Sequence, residues 1–399
     1  MKKLLILAIV LRVLVAAFFF HPDIKTFNYQ ASFLKQGVFN IYSYLVDNKA
    51  RLPLKDNFVY FPLTYFTLGG YQAAISPILG RGFDSWLGNP DSATMVTNPN
   101  IFGYMLALKL PYLVLDILVA YMLLKFIEDR KKAQKAFLIW LFNPITIILI
   151  YVYGNIDIFP VVLTVFSLLL IKKDKLKSAV AILGLAAGFK LYPLLLVPFL
   201  ALAGKNTKEK IWLVAIPFLI FGAICVPFLS GAFVQSALIS GLTTGTFSPS
   251  FSVGFGESII VGLVGMTVLF FYEMLINKKP NVLIYWIALL MIIFSFSHFH
   301  IQWLLWVAPF ITIILAEDSD LTLLISSVSV MAVAIPLLYE DRFMTMGLLR
   351  TFSLYYDMLP TPFVVIQRVF DPYNLQSILH SMMAGGTLVM IYRLFKVKS

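Results

Sequence analysis

The chain has 399 residues, of which 60% are hydrophobic and only 13% charged, and its mean hydropathy is +0.87. An ordinary soluble domain is about 25% charged, so the surplus apolar surface has to face lipid, which excludes a soluble enzyme, a disordered chain and a nucleic-acid-binding module. The single cysteine, Cys225, allows no internal disulfide and no thiolate zinc cluster, and the net charge of +11 has to be explained by where the charges sit.

The first residues imitate a signal peptide, with Lys2-Lys3 ahead of an apolar run. Arg12 interrupts that run, and no small-x-small site follows Ala16-Ala17-Phe18-Phe19-Phe20, so a retained first span over 4–20 is expected. A bilayer-crossing helix takes roughly 20 apolar residues. Further spans are expected near 101–126, 136–152, 156–171, 210–229, 257–276, 281–297, 302–316, 321–338 and 376–395. Residues 21–100 form a first outer segment with an amphipathic stretch from Phe27 to Val46. Its run from Phe58 to Leu79, broken at Gly69-Gly70, would flip every later loop if it crossed, so it is read as an interfacial or membrane-dipping helix. Residues 178–203 are too few for two full crossings and contain Gly184, Gly188 and Phe189-Lys190-Leu191-Tyr192-Pro193, which predicts a broken pair of short helices. Two more outer segments follow, a Gly-, Ser- and Thr-rich one near 230–256 and one over 339–375. The expectation is an all-α polytopic membrane protein, a single multi-pass domain over 1–399 with about 10–12 membrane helices and interfacial helices in the first outer loop.

Lys and Arg gather at Lys2-Lys3, Lys125 to Lys135, Lys172 to Lys177, Lys205 to Lys210, Lys278-Lys279 and Arg393 to Lys398, together 19 of 31. If these ends are cytoplasmic, the positive-inside rule is met and both termini lie inside. The charge excess is then a topology signal, and no nucleic-acid partner is expected. The absence of any permissive Asn-x-Ser/Thr sequon fits a prokaryotic cell membrane better than a glycosylated organelle (the endoplasmic reticulum, if the source is eukaryotic).

Charges inside apolar runs are costly and need a reason. Arg12, Lys109, Asp116 and Lys190 are such charges, with Asp23 and Asp157 at span ends. Arg12 is read as a counter-ion, either for a phosphate or for an acid on another helix; if the first helix continued, Arg12 and Asp23 would share a face. For Lys109 and Asp116 a structural contact is favoured. Asp23 follows His21-Pro22 and emerges half in water, where partial burial would raise its pKa and make it a better base, though a solvated loop acid is the blander alternative. Asp157 sits in the tight turn Tyr153-Gly154-Asn155-Ile156-Asp157 and would serve as a helix N-cap or a ligand-binding acid. His298 and Gln302 are spaced to share a helical face, and with His300 they offer donors that suit a phosphate or a sugar hydroxyl; a metal site from the His pair and a carboxylate is a weaker option.

These segments, taken in order, resemble the C-type integral-membrane glycosyltransferases, and among them the mannosyltransferase-like members that use polyprenyl- or dolichyl-phosphate sugars. The resemblance runs over about 1–310. It is carried by Arg12 and Asp23, Tyr60-Phe61-Pro62-Leu63-Thr64-Tyr65, Lys109-Leu110-Pro111-Tyr112 with Asp116, Phe142-Asn143-Pro144, Gly154-Asn155-Ile156-Asp157, Gly188-Phe189-Lys190-Leu191-Tyr192-Pro193 and His298-Phe299-His300-Ile301-Gln302-Trp303. Many relatives carry paired acids in the first outer loop, whereas Asp23 here stands alone between His21 and Lys25; a divalent cation, Mg or Mn, is therefore left open. The resemblance implies inverting transfer of a hexose, mannose favoured, from a polyprenyl-phosphate donor to a lipid-linked or glycan acceptor on the extracytoplasmic face, amid membrane lipids. It implies Asp23 as general base. For the donor's phosphate and sugar it implies Lys190, Tyr192, His298, His300, Gln302, Asp157, Asn155, Arg12 and Tyr60. The competing expectation is a transporter or flippase for a lipid-linked or small polar substrate, which would need access from both sides; a non-catalytic scaffold would not need these residues to converge.

Overall fold

The computed structural model describes residues 1–239, 249–276 and 281–398. Lys278 and Lys279, and residues 240–248 of the Gly-, Ser- and Thr-rich segment, lie outside the described residues. The protein is 76% helical with almost no sheet, an all-α polytopic membrane protein. Among the described residues, three helices are long and apolar enough to cross a bilayer: Ile101–Phe126, Thr207–Phe228 and Pro372–Lys396. Two bent pairs bring the number to at most five if each pair is one span, and seven further apolar helices have only 10–17 residues. Pro62–Leu79 is a helix of 18 residues outside this set.

Prolines set the bends. The first helix, Lys2–Phe18, ends in extended backbone at Phe19 and His21, and Pro22 opens a new helix, Pro22–Ser32, at 81° to it. Proline suits the first helical turn because its missing N–H would have no partner there. The expected shared face of Arg12 and Asp23 is therefore lost. Likewise, the span expected over 136–152 is two pieces, Arg130–Phe142 and Pro144–Val152, bent by 44° after Asn143, whose side chain caps the second piece. That piece ends in a π turn, Ile148–Val152. The span expected to start at 257 begins at Val261; ahead of it Ser250–Gly254 and Glu257–Ile260 pair as an antiparallel hairpin.

The charges buried in the bundle tie helices together. Arg12, fully buried, gives its Nε–H to Asp116 (2.5 Å) and its Nη1 to the carbonyl of Leu141 (2.7 Å). Asp116 also accepts from Trp140 Nε1 (2.6 Å) and Tyr151 OH (2.7 Å). Lys109 donates to the carbonyls of Ala16 (3.0 Å) and Phe19 (2.6 Å) at the end of the first helix, and to that of Tyr151 (2.7 Å) in the π turn. Buried charges persist where partners satisfy them in this way.

Two peripheral segments close over one end of the bundle. Helices Pro22–Ser32 and Pro62–Leu79 pack together, with buried Gln72 donating to Asn28 Oδ1 (2.7 Å). Leu176–Ala187 and Tyr192–Leu202 flank a break at 188–191, and the chain from 62 onwards covers it: Leu63 N–H donates to the Gly188 carbonyl at 3.0 Å. Residues 339–371 run as short 3-10 turns and one helix, Pro362–Gln367. They clasp the end of the first helix through Phe20 N–H to Leu348 O (3.2 Å) and Thr351 Oγ1 to Phe18 O (2.5 Å).

Candidate active site

The turn from Tyr153 to Asp157 joins the π turn to helix Ile158–Lys172. Gly154 has φ +66°, and a Cβ there would lie 2.9 Å from Ile24 Cδ1, so the turn needs glycine on both counts. Asn155 Oδ1 accepts the backbone N–H of Asp157 at 2.8 Å, leaving the amide's N–H groups uncommitted to that contact. Asp157 does not cap the following helix with its side chain, which corrects the capping expectation. Its buried carboxylate takes Lys190 Nζ on both oxygens (2.9 and 2.8 Å) and Trp306 Nε1 on Oδ2 (2.7 Å).

Lys190 comes from the helix break. Gly188 allows it: a Cβ on Gly188 would fall 2.6 Å from Leu63 Cδ1, on the strand of chain that caps the break. The ammonium lies 5.7 Å from the Tyr60 ring and 5.2 Å from the Trp306 ring, within cation–π range. Tyr192, two residues on, stacks flat on Trp306 with centroids 4.3 Å apart and shares a hydrogen bond with Thr164 Oγ1 (3.2 Å). Lys190 therefore reaches the site already paired, not as a lone cation.

Asp23 stands at the second position of helix Pro22–Ser32. His21 caps that helix, its Nδ1 accepting the Asp23 N–H at 3.3 Å and lying 3.8 Å from Asp23 Oδ2. A single cleft is lined by His21, Asp23, Phe27, Tyr60, Tyr153, Gly154, Asn155, Ile156, Ile301, Gln302 and Met344. The Asp23 side chain is 58% exposed at its rim. The surrounding protein still raises its pKa above the ordinary carboxylate value; the neighbouring His21 pulls it back down, while Asp341 and Asp56 add to the rise. Burial lowers the His21 pKa and raises that of Tyr60 well above the usual phenol value, with Asp157 and Asp23 adding to the latter. Tyr60 is thus held protonated.

The loop before Trp303 differs from its expected form. Residues 297–300 are not helical and Ile301–Trp303 is a 3-10 turn, so His298 and Gln302 share no helical face. Gln302 lines the cleft, whereas His298 is exposed, stacked near Tyr339 at 5.9 Å. His300 packs against Trp303 (5.1 Å) and His298 (4.9 Å), and burial, with help from His298 and Lys190, lowers its pKa to about 4. It is a neutral group at pH 7. Arg12, expected at the donor phosphate, lies in the Asp116 cluster instead: an acid on a neighbouring helix outcompeted any ligand for it.

The structure therefore gathers Asp23, Tyr60, Asn155, Asp157, Lys190, Tyr192, His300 and Gln302 around one cleft and its wall, with His298 at the edge and Arg12 elsewhere. It adds His21, Tyr153, Trp306 and Met344. Trp306 follows Trp303 by three residues, one helical turn, and reads in sequence as part of an apolar run; its N–H partner is what distinguishes it. Met344 and the Tyr153 O–H that donates to its carbonyl (3.0 Å) carry no motif at all. The cleft offers one accessible carboxylate, neutral amide, phenol and imidazole donors, and aromatic faces, which is equipment for binding hydroxyl-rich ligands and removing a proton.

Residues 150–243 match the family model described as Mannosyltransferase (PIG-M). No curated protein and no solved structure matches the chain. The matched stretch holds Asn155, Asp157, Lys190 and Tyr192, the wall of the cleft. On this all-α multi-pass architecture, the match supports a C-type, mannosyltransferase-like membrane glycosyltransferase.

Proposed function

We propose that the chain transfers a hexose, mannose favoured, from a polyprenyl-phosphate donor to a lipid-linked or glycan acceptor, with inversion at the anomeric carbon. The reading rests on one observation above others: Asp23, the accessible carboxylate of the cleft, faces the wall built by the family-matched segment. In the step, the acceptor hydroxyl gives its proton to Asp23 as its oxygen bonds to the anomeric carbon. The bond from that carbon to the donor's phosphate oxygen breaks, and the electron pair leaves with the polyprenyl phosphate. Charge grows on the phosphate, where fixed donors lower the barrier; Gln302, Asn155 and Tyr60 face the cleft, and Lys190 stands behind them, steadied by Asp157. Tyr192 and Trp306 form a stacked platform under Lys190.

Among the described residues no group of three or more His, Cys, Asp or Glu is close enough to hold an ion, and His21 Nδ1 is already occupied by a backbone N–H. No step here runs through a cation; a chelator arm in the assay reads whether Mg or Mn accompanies the donor.

Charge supports the extracytoplasmic placement. Asp157 lies at one end of helix Ile158–Lys172 and the Lys172 to Lys177 cluster at the other. Lys172 there donates to the carbonyl of Phe126 (2.6 Å), at the basic end of Ile101–Phe126. The cleft is thus at the pole opposite the positive loops. The test is purified protein with labelled polyprenyl-phosphate mannose or glucose and a panel of alkyl mannosides, alkyl glucosides and lipid-linked sugars, with and without chelator. Transfer by wild type and none by Asp23→Asn is expected; a fully active Asp23→Asn would overturn the base assignment, and transfer from neither donor would overturn the function.

A further inference from the structure

We propose that His21 is a substrate-binding residue of this cleft, its Nε2–H holding an oxygen of the acceptor beside the hydroxyl that Asp23 deprotonates. The inference rests on the glycosyl-transfer reading and extends it to the acceptor's shape: a ligand with two adjacent oxygens, as on a sugar ring.

The argument begins with the tautomer. His21 Nδ1 accepts the backbone N–H of Asp23 at 3.3 Å, and a ring nitrogen that accepts a hydrogen bond carries no hydrogen of its own. The neutral ring therefore bears its hydrogen on Nε2. That atom is buried and, among the described residues, has no hydrogen-bond partner. A buried donor left unpaired is uncommon in native structures and calls for an explanation.

The surroundings do not supply a partner. His21 is 7% exposed and is held edge-to-face by Tyr153 (5.7 Å) and Phe343 (6.4 Å). Tyr153 turns its own O–H to the Met344 carbonyl. Capping of helix Pro22–Ser32 accounts for Nδ1 and for nothing at Nε2. The ring does, however, line the cleft with Asp23, Tyr60, Asn155 and Gln302. Its Nδ1 lies 3.8 Å from Asp23 Oδ2, so Nε2, across the same ring, sits close enough to serve an oxygen neighbouring the one bound to Asp23. His21 keeps its proton throughout; Asp23 alone takes the acceptor's proton, and the electron pair still leaves on the donor's phosphate.

Two isosteres separate the roles. His21→Asn places an amide oxygen where Nδ1 accepts, preserving the cap, and removes the ε donor. His21→Gln restores an N–H near the ε position and gives up the cap. Each is assayed with polyprenyl-phosphate mannose and the panel acceptor that wild type uses best, together with that acceptor's monodeoxy series. His21→Asn is expected to raise the acceptor KM by about tenfold or more, with a smaller change in kcat, and His21→Gln to recover part of it. One deoxy acceptor should cost wild type about tenfold and cost His21→Asn nothing, a coupling that a purely structural residue would not show. His21→Asn with the wild-type KM and the wild-type response to every deoxy acceptor overturns this inference alone. Wild type that transfers to no acceptor overturns the glycosyl-transfer reading, and this inference falls with it.

Discussion

At the scale of single residues, Asp23 and Lys190 invite opposite tests. As a base, Asp23 has to be ionised, and the protein around it raises its pKa. Transfer should therefore fall as pH drops through a value above the ordinary carboxylate range of about 4, and kcat/KM against pH reads that limb directly. Asp23→Asn should lower kcat by about 10²–10⁴-fold, the usual worth of a general base; an unchanged rate would remove the role. His300, at about pKa 4, adds no limb between pH 6 and 8. Lys190 is different because Asp157 is buried behind it. Lys190→Ala leaves that acid uncompensated and should cost about 3–5 kcal/mol of stability. Adding Asp157→Ala should restore much of the melting temperature in detergent while transfer stays low. Recovery of full transfer in the double variant would make the pair structural only. Sequence alone brought these residues forward because Lys190 interrupts an apolar run at an energetic cost and Asp23 stands at the end of one, after a proline. It missed His21 as a site residue and Trp306 altogether, since an imidazole next to proline and a tryptophan among leucines look ordinary until their ring N–H groups are traced.

At the scale of elements, the close approaches at the helix break and at the 154 turn hold the cleft's wall in place. Gly188→Ala puts a methyl against the Leu63 side chain, with Ile224 Cδ1 close by, so Leu63 must give way; a loss of about 1 kcal/mol is expected, at the low end for overpacked sites. Leu63→Ala in the same chain should return part of it, as read by thermal unfolding, and no gain would mean that the strain lies elsewhere. Most helices were legible from hydropathy, and so was the break at Pro22; the one at Pro144 was not, because 136–152 is apolar enough to read as a single span. The hairpin at 250–260 was not legible either. Its Ser250-Phe251-Ser252-Val253 alternation has the two-residue period of a strand, but it borders a long apolar run that reads as the start of a helix. The His298–Gln302 spacing misled for the opposite reason: an i, i+4 relation means a shared face only where the backbone is helical.

At the scale of the whole molecule, the charges of the bundle divide into those that hold it and those that serve it. Arg12 and Asp116 are fully buried and link three helices and the π turn. Arg12→Ala should cost about 3–5 kcal/mol by stranding the acid, seen as a lower detergent melting temperature. Arg12→Met with Asp116→Leu should recover most of that, and a double variant no better than the single one would refute the pairing as the cause. Sequence patterning disclosed a multi-pass helical protein and one pole on which the candidate site residues gather. It could not say which span-borne charges would find each other, because that depends on packing between helices far apart in the chain. The clasp of residues 344–351 on the end of the first helix and on Tyr153 has a consequence in time. During synthesis the wall at Met344 arrives long after His21 and Asp23, once most of the described helices have been laid down. Until then the cleft beside His21 and Tyr153 lacks that wall. A chain halted before that segment would carry Asp23, Lys190 and the aromatic platform and still lack one wall of the cleft, so the candidate site is completed among the last acts of folding.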